Sequence, residues 1–265
     1  MNDRQSSAGH GLRIQKLSKA FPSNGNGPLR ALCDFDVDIA AGEFVVVVGP
    51  NGSGKTTLLN LLAGDLQPDS GSIELVDAHE AADWTHLPPW KRAEQLARVH
   101  QDPRLGTAAG MTVWENIRLV TSRSTIPLPL RHRLTMSCRN GHIQRLARLG
   151  LAAKIDSRVA DLSQGQRQLL AVELAMLRKP SILLLDEHTA SLDQANARGC
   201  LDATVQLSRE NATTVVMVTH NLMDALTYGD RLLILRDGRL AEDLTAEDKA
   251  SLELNHLLAL CGYVL

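Results

Sequence analysis

The chain has 265 residues, 44% of them hydrophobic and 22% charged, so it can form one large core or two modest domains. Its formal net charge of -2 gives no global basic field of the kind that nucleic-acid binding uses. Its four cysteines show no CxxC spacing, which argues against a zinc site or a disulfide framework and fits a reducing cytosol.

The N-terminal residues 1–11 are polar or small and lack the apolar core of a secretory signal, so we interpret them as a flexible tail. No apolar run approaches the roughly 20 residues that span a bilayer. If the protein works at a membrane, we expect another chain to supply the span.

The first two predicted strands read as half-buried, since residues 12–17 alternate apolar and polar and residues 37–39 repeat that alternation. Phe21 lies between them. An aromatic ring ahead of a nucleotide site could stack on a base. A core residue at the end of a strand is the alternative for Phe21.

A glycine-rich loop follows the short apolar run Phe44-Val45-Val46-Val47-Val48, which is typical of a strand buried on both faces of a parallel sheet. A predicted helix comes after the loop and stops at Gly64. The order of strand, glycine loop and helix predicts a phosphate-binding loop. Its residues are Gly49, Pro50, Asn51, Gly52, Ser53, Gly54, Lys55, Thr56 and Thr57.

The chemistry of this loop follows from its residue types. Glycines let backbone N–H groups turn inward around a phosphate, and the helix N-terminus adds partial positive charge. Lys55 would then supply a point charge to the outer phosphates, and Thr56 a hydroxyl to Mg²⁺. A chance glycine turn does not explain Lys-Thr-Thr between a strand and a helix. The loop by itself predicts nucleotide binding and names no activity.

The middle of the chain changes character. A turn at 68–71, a strand at 72–76 and a short helix at 90–96 lead to Gln101, after which residues 104–179 show helical patterns and no buried β-run. Thr112 and Glu115 have capping-box spacing. A linker rich in Pro, Ser and Arg follows at 122–133. We interpret 104–179 as a helical subdomain inserted into an α/β core.

A second capping box, Ser163 with Gln166, opens a predicted helix that runs through Arg178. The simplest interpretation is a well-capped helix. Gly165 in its first turn has no helical rationale, because glycine there costs about 1 kcal/mol against alanine. Close approach of a ligand to the backbone would explain it.

Two further apolar strands end on polar side chains. Residues 182–187 end in Asp186 and Glu187, and residues 213–219 lead to His220. The carboxyl edge of a parallel sheet is where open α/β sheets hold ligands. Asp186 is suited to hold Mg²⁺ and Glu187 to accept a proton from the attacking water. A lone histidine is more often structural, but the position of His220 at this edge favours a functional role.

The last part of the chain contains a predicted hairpin around Asp237-Gly238. A Thr-x-x-Asp cap at Thr245 then opens an apolar pattern, which we interpret as one C-terminal helix over 245–265.

The ordered set of motifs resembles the nucleotide-binding subunits of ATP-binding cassette (ABC) transporters. The set is the phosphate loop, Gln101, Leu-Ser-Gln-Gly-Gln from Leu162, Leu-Leu-Leu-Asp-Glu up to Glu187, Ser-Leu-Asp up to Asp193, and His220. The resemblance implies an α/β P-loop NTPase with a mostly parallel core sheet, an antiparallel β subdomain and the inserted helical subdomain. The ATPase domain would span residues 12–244.

The resemblance also implies that ATP is sandwiched between two copies of the chain, with the phosphate loop of one copy facing residues 163–166 of the other. Closure on ATP and opening after hydrolysis would then perform mechanical work. The ATP contacts it implies are Phe21, Gly49, Pro50, Asn51, Gly52, Ser53, Gly54, Lys55, Thr56, Thr57, Gln101, Ser163, Gln164, Gly165, Gln166, Asp193 and His220.

Catalysis and Mg²⁺ binding are assigned by the same resemblance. Thr56, Gln101 and Asp186 would bind Mg²⁺, and Lys55 and Gln101 would assist the reaction. Glu187 would be the general base, a role typically worth 10²–10⁴-fold in rate. His220 would contact the γ-phosphate and orient the water, and Asp193 would link the two sites of the dimer.

The implied partners are a second copy of the chain, a polytopic membrane permease and, indirectly, a solute-binding protein, with no nucleic acid. Residues 104–116 should border the groove that receives the permease, at the cytoplasmic face of the membrane. Three stretches, from Gln101, Asp186 and Met217, are similar to bacterial importer ATPases encoded with solute-binding proteins of the tryptophan/tyrosine type.

Four positions depart from the family pattern: Gln164 and His188 replace a usual glycine and a common proline, Gln194 replaces another proline, and His100 replaces a frequent aromatic. None removes a catalytic group. Two other functions remain open at this point. One is a soluble ABC protein of DNA repair or translation, although no long coiled-coil insert or second cassette is visible. The other is a regulatory module without turnover, against which the intact Lys55, Glu187 and His220 argue.

Overall fold

The computed structural model describes residues 9–22, 27–121 and 136–262, with the backbone alone at 136–138. Within these residues the strands are β1 (Gly11–Phe21), β2 (Leu29–Ile39), β3 (Phe44–Val48), β4 (Ser70–Val76), β5 (Ala81–Asp83), β6 (Leu96–Val99), β7 (Ile182–Asp186), β8 (Thr214–Val218), β9 (Arg231–Arg236) and β10 (Arg239–Leu244).

The α-helices of the same ranges are α1 (Lys55–Ala63), α2 (Pro89–Arg92), α3 (Val113–Thr121), α4 (Met136–Arg148), α5 (Gln164–Leu177), α6 (Gln194–Glu210), α7 (Leu222–Thr227), α8 (Ala246–Ala250) and α9 (Leu254–Leu260). Short 3₁₀ turns lie at Pro103–Leu105, Ala152–Lys154 and Val159–Asp161.

Two sheets organise the fold. The larger has the order β10-β9-β3-β8-β7-β6, in which every neighbouring pair is parallel except β10 with β9. The smaller has the order β2-β1-β4-β5 and is antiparallel. The predicted combination of a mostly parallel core sheet with an antiparallel one is therefore confirmed.

Strand β3 lies in the interior of the larger sheet, between β9 and β8, and is apolar throughout. All five of its residues are buried, and their side chains alternate between the two faces of the sheet. Val45 and Val47 join the cluster that contains α1 and the antiparallel sheet. Val46 and Val48 join the cluster on the opposite face, which contains residues of α5, α6 and α9. Burial on both faces is what makes a parallel strand continuously apolar.

The functional segments follow the carboxyl ends of four parallel strands. β3 leads into the glycine loop, β6 into Gln101, β7 ends at Asp186, and β8 leads to His220. Because these strands are adjacent and parallel, their carboxyl ends meet at one edge of the sheet. This edge positions the candidate site.

The predicted helix at 90–96 is wrong in extent. α2 ends at Arg92, whose fully buried guanidinium donates to Leu61 O (2.6 Å) and Leu62 O (2.8 Å) at the end of α1. Leu96 instead begins β6, where it pairs with Ile182. Arg92 thus satisfies terminal carbonyls of another helix, and burial lowers its pKa to about 10.

The predicted single C-terminal helix is two helices in the structure. The capping box of Thr245 with Asp248 is present at the start of α8, as predicted, but α8 ends before Ser251 and α9 begins at Leu254. Lys249 Nζ donates to Tyr228 O and to Gly229 O (2.9 Å), which fixes α8 against the loop before β9.

Helices α3, α4 and α5 share an apolar cluster of their own, which includes Val113, Ile117, Leu146, Leu170 and Leu174. The capping box of Thr112 and Glu115 is formed. The linker predicted at 122–133 lies outside the described residues, and the helical subdomain boundary stays a prediction. Across the described ranges, no helix has the length and apolarity needed to cross a bilayer.

Candidate nucleotide-binding site

The glycine loop is shaped by backbone angles that glycine adopts most readily. Gly49, Gly52 and Gly54 have φ of 151°, 81° and 104°. A Cβ on Gly49 would lie 2.1 Å from Leu235 O, and one on Gly54 2.4 Å from Ala31 O, so both positions are closed to other residues by packing. Gly52 is exposed, with no atom within 4 Å of its would-be Cβ. Of these three glycines, Gly52 is therefore the one with open space around it.

Lys55, the first residue of α1, turns its ammonium group into the loop. Nζ donates to Gly49 O (2.7 Å) and Pro50 O (2.9 Å) and lies 3.4 Å from Ser53 Oγ. Burial lowers the pKa of Lys55, while the nearby Glu187 carboxylate opposes that shift. A partly desolvated cation bound to neutral carbonyls is well suited to bind an anion more strongly.

A cleft of about 740 Å³ lies at the carboxyl edge of the sheet. It brings together three residues predicted to bind metal, Thr56, Gln101 and Asp186, with the predicted base Glu187. A hydroxyl, an amide oxygen and a carboxylate are the oxygen ligands that Mg²⁺ prefers. The remaining lining residues are His100, Asp102, Pro103, Arg104, Leu105, Gln164, Arg167 and Ser191.

Asp186 is also engaged by a residue that sequence reasoning did not select. Arg98 Nη2 lies 2.6 Å from Asp186 Oδ2, and the Arg98 side chain is only 12% exposed. Arg98 Nη1 donates to Asn60 Oδ1 (2.8 Å) on α1 and to Asp65 Oδ2 (3.0 Å). The carboxylate predicted to bind Mg²⁺ is thus already ion-paired.

Glu187 is held in a strained backbone conformation. Its φ is 44°, in the left-handed region that non-glycine residues rarely occupy, and its N–H donates to Val218 O (3.0 Å). Its Oε2 lies 3.2 Å from Nδ1 of His220. Strain of this kind persists where the surrounding structure imposes it and is concentrated at functional sites.

The helix that follows Leu162 has the predicted capping box. Ser163 Oγ accepts from Gln166 N (3.3 Å), and Gln166 Oε1 accepts from Ser163 N (3.1 Å). Gln164 is exposed and lines the cleft. Gly165 is buried, and a Cβ there would lie 3.1 Å from Asn196 Cγ. The structure therefore gives Gly165 a packing reason within its own chain, where the sequence suggested a ligand.

A family model described as ABC transporter matches residues 32–190, more than half of the chain. The chain belongs to the ABC transporter family. Its curated relatives include the tyrosine transport ATP-binding protein of Clostridioides difficile (39% identity, covering 93% of this chain and 97% of the relative). They also include the thiamine import ATP-binding protein ThiQ of a Chelativorans species, which is 36% identical over 88% of this chain and 86% of the relative.

Solved structures agree with this membership. A nucleotide-free ATP-binding cassette from an ABC transporter has the same fold, with a TM-score of 0.75, 24% identity and 94% and 95% of the two chains covered. A dimeric cassette in a post-hydrolysis state, bound to ADP and Pi, has a TM-score of 0.71 at 25% identity, covering 89% and 98%. The chain is therefore an ATP-hydrolysing subunit of the ABC type, and the relatives named above favour a transport ATPase over a soluble repair or translation protein.

Two residues of this ABC ATPase have local contacts besides their implied roles. Asp193 caps α6 through its Oδ1, which accepts from Asn196 N (3.0 Å). This hydrogen bond lowers the pKa of the Asp193 carboxyl. Phe21 is half-buried at the end of β1, with Lys19 Nζ 5.9 Å from its ring centroid. Phe21 does not line the cleft. The adenine role of Phe21 and the linking role of Asp193 stay predictions.

The four departures from the ABC pattern have different surroundings. His100 and Gln164 line the cleft, and Gln194 begins α6. His188 is fully buried, and its Nε2 has no hydrogen-bond partner among the described residues. Burial lowers the pKa of His188 to about 4, so the ring is neutral beside Glu187 at pH 7.

Sequence reasoning missed Arg98, Arg167 and Ser191 as site residues. Ser191 had a signal, because it begins the Ser-Leu-Asp motif. Arg167 directly follows the predicted capping box, and it lines the cleft together with Asp102. Arg98 lies on β6, three residues before Gln101, and only the pairing of β6 with β7 brings it to Asp186.

Proposed function

We propose that this chain energises a bacterial importer by binding MgATP, closing into a dimer around it and reopening after hydrolysis. The observation that carries the proposal is the joint lining of one cleft by Thr56, Gln101, Asp186 and Glu187, beside a loop with a buried lysine. The 39% identity to a tyrosine transport ATP-binding protein across nearly both chains supports a transport role, and the 36% identity to a thiamine import ATP-binding protein supports import.

In this proposal the loop N–H groups and Lys55 bind the β- and γ-phosphates. Lys55 would exchange its bonds to the Gly49 and Pro50 carbonyls for charge-assisted bonds to phosphate oxygens. Thr56, Gln101 and Asp186 would hold Mg²⁺, which screens charge on the phosphates. The all-oxygen donor set and its shared cleft support this assignment.

Glu187 would accept a proton from the attacking water, and His220 would orient that water and contact the γ-phosphate. The 3.2 Å separation of His220 Nδ1 and Glu187 Oε2 supports joint action, since both groups could bind one water molecule. Phe21 would stack on adenine.

The second half of each site would come from another copy of the chain. The exposure of Ser163 and Gln164 supports this, because the start of α5 offers N–H groups and partial positive charge at an accessible surface. Gly165 and Gln166 would complete that surface, and Asp193 would link the two sites. A solved cassette at 25% identity that is dimeric with ADP and Pi bound supports self-association of this chain.

A membrane permease would dock beside the cleft, at residues 104–116. Two large apolar side chains there are exposed, Leu105 at 70% and Met111 at 42%. Exposed apolar residues beside a catalytic cleft suit a partner subunit. The chain would therefore be peripheral, on the cytoplasmic face of the membrane, and would serve a solute-binding protein indirectly.

Purification of the chain from detergent-solubilised membranes of its native host tests the permease role. We expect a polytopic subunit in stoichiometric amount, and ATP-dependent uptake of a solute by proteoliposomes of the complex. Met111→Asp, outside the cleft lining, should release the permease without changing nucleotide affinity. Leu29→Asp, at a 64% exposed leucine on β2, should leave the permease bound. Recovery of the chain without any membrane subunit would count against the proposal.

A further inference from the structure

Arg98 makes a charged bridge between three elements of the site. It lies on β6, and its guanidinium contacts Asp186 at the end of β7 (2.6 Å), Asn60 on α1 (2.8 Å) and Asp65 beyond α1 (3.0 Å). The Arg98 and Asp186 side chains are 12% and 18% exposed, so solvent screens this ion pair weakly, whereas the Asp65 partner is 50% exposed. Arg98 Nε has no hydrogen-bond partner within the described ranges.

The bridge contacts one proposed metal ligand, Asp186, and reaches the helix that carries a second, Thr56. Asn60 follows Thr56 by four residues on α1, so the two lie on the same face of that helix. Asp186 Oδ2 accepts a hydrogen bond from Arg98 Nη2 (2.6 Å). A cation bound by Asp186 therefore shares the carboxylate with a guanidinium.

We propose that Arg98 makes divalent-cation binding at Asp186 depend on bound nucleotide. A cation that arrives without nucleotide meets the Arg98 guanidinium, which is already paired with Asp186. Repulsion between the two positive charges weakens cation binding. A nucleotide brings several negative charges to the same cleft, and these offset the guanidinium. This inference rests on the proposed function, since it takes Thr56 and Asp186 as the metal ligands.

A purely structural ion pair is the competing explanation. Arg98 joins β6, β7 and α1, and removal of one partner of a poorly exposed pair destabilises a protein whatever the site does. The two explanations differ in one measurement. A structural role leaves the cation affinity of the folded protein unchanged, whereas the proposed role changes it.

The experiment measures Mn²⁺ affinity by electron paramagnetic resonance on the nucleotide-free protein. Arg98→Gln and Arg98→Met both remove the charge, so one folded variant is enough, and Arg98→Lys retains it. Arg148→Gln is the matched control, because Arg148 pairs with Glu210 on the surface and its loss changes net charge equally. Near-ultraviolet circular dichroism verifies that each variant is folded.

We expect at least a tenfold tighter Mn²⁺ affinity for the charge-free variants without nucleotide, and wild-type affinity for Arg98→Lys and Arg148→Gln. Equal Mn²⁺ affinity in all five proteins would overturn the inference. Asp186→Asn with ADP present separates the two proposals. If that variant keeps the wild-type Mn²⁺ affinity, the metal assignment itself is wrong; if it loses affinity while Arg98→Gln matches wild type, only the role of Arg98 is wrong.

Discussion

His220 Nδ1 lies 3.2 Å from Glu187 Oε2, although the two residues follow different strands of the sheet. The pairing of β7 with β8 sets this distance, because their carboxyl ends are adjacent. A carboxylate beside an imidazole can bind one water and accept its proton, which is the arrangement that general base catalysis needs.

Glu187→Gln should abolish most ATP hydrolysis while leaving ATP binding intact, because the amide keeps the shape of the side chain but accepts no proton. We expect a decrease of about 10²–10⁴-fold in kcat, measured by phosphate release. With saturating MgATP this variant should also become dimeric in light scattering. Glu94→Gln, at an exposed position, is the control. A variant that stays monomeric would contradict the dimer proposal.

Glu187 and His220 should act as a unit. If both position one water, the double variant Glu187→Gln/His220→Ala should be hardly slower than the slower single variant. Single-turnover hydrolysis rates of the four proteins give the coupling directly. Rate losses that multiply would show that the two groups act independently.

Lys55→Ala should weaken ATP binding. The variant loses a charge-assisted bond to phosphate, typically worth about 1.5–3 kcal/mol, so we expect about a 10- to 100-fold higher Kd. Isothermal titration with MgATP measures it. Lys91→Ala changes net charge equally at an exposed position on α2 and should bind like wild type. Unchanged affinity in Lys55→Ala would refute the phosphate-loop role.

Stability should fall in mild acid because of His188. Its pKa is lowered to about 4 in the folded chain by burial, against about 6.5 when unfolded. Between these values only the unfolded state binds the proton, so the free energy of unfolding decreases as pH falls from 6.5 to 4, by about 3 kcal/mol in total.

His188→Leu removes this proton-linked loss and the unpaired Nε2. We expect its urea-unfolding free energy to exceed that of wild type at pH 5 by more than at pH 7.5. His79→Leu, at an exposed position, is the control, and its unfolding free energy should change with pH as that of wild type does. An identical pH dependence in His188→Leu and wild type would mean that another group causes the acid sensitivity.

Gly165→Ala and Gly199→Ala make a matched pair, since both glycines are helical. At Gly199 a Cβ meets nothing within 4 Å, so alanine should stabilise α6 by about 1 kcal/mol. At Gly165 the Cβ must displace Asn196, which is bonded to Asp193, so we expect no gain in stability and slower ATP hydrolysis. Urea unfolding measures the stability of both variants, and phosphate release measures their ATP hydrolysis. Equal gains in stability would show that the Asn196 side chain moves aside at no energetic cost.

The elements that follow from local pattern were predictable. β3, the glycine loop, both early capping boxes and the Asp237-Gly238 hairpin depend on neighbouring residues, and the structure confirms each. The extent of α2 depended on Arg92, whose long-range bonds to Leu61 and Leu62 no local pattern reports. Propensity could not place that boundary, because tertiary contacts override it.

The sequence predicted most of the residues that form the site, but it predicted fewer of the contacts between them. Asp186 and Glu187 were located by the end of an apolar strand, but the Arg98 contact to Asp186 spans 88 residues of sequence. Only the order of strands in the sheet brings β6 beside β7. Likewise Gly165 was correctly singled out as unusual, while its neighbour Asn196 came from the packing of α5 on α6.

The shape of the glycine loop depends on a hairpin that the chain makes late. Gly238 N donates to Ser53 O (3.2 Å), Cys33 N donates to Gly238 O (2.8 Å), and Leu235 O closes against Gly49. β3 itself pairs with strands that begin at Thr214 and Arg231. During translation, therefore, a chain of which only the first two hundred or so residues have left the ribosome lacks both strands that flank β3 and the hairpin contacts of the loop. The loop can reach its final shape only near the end of synthesis.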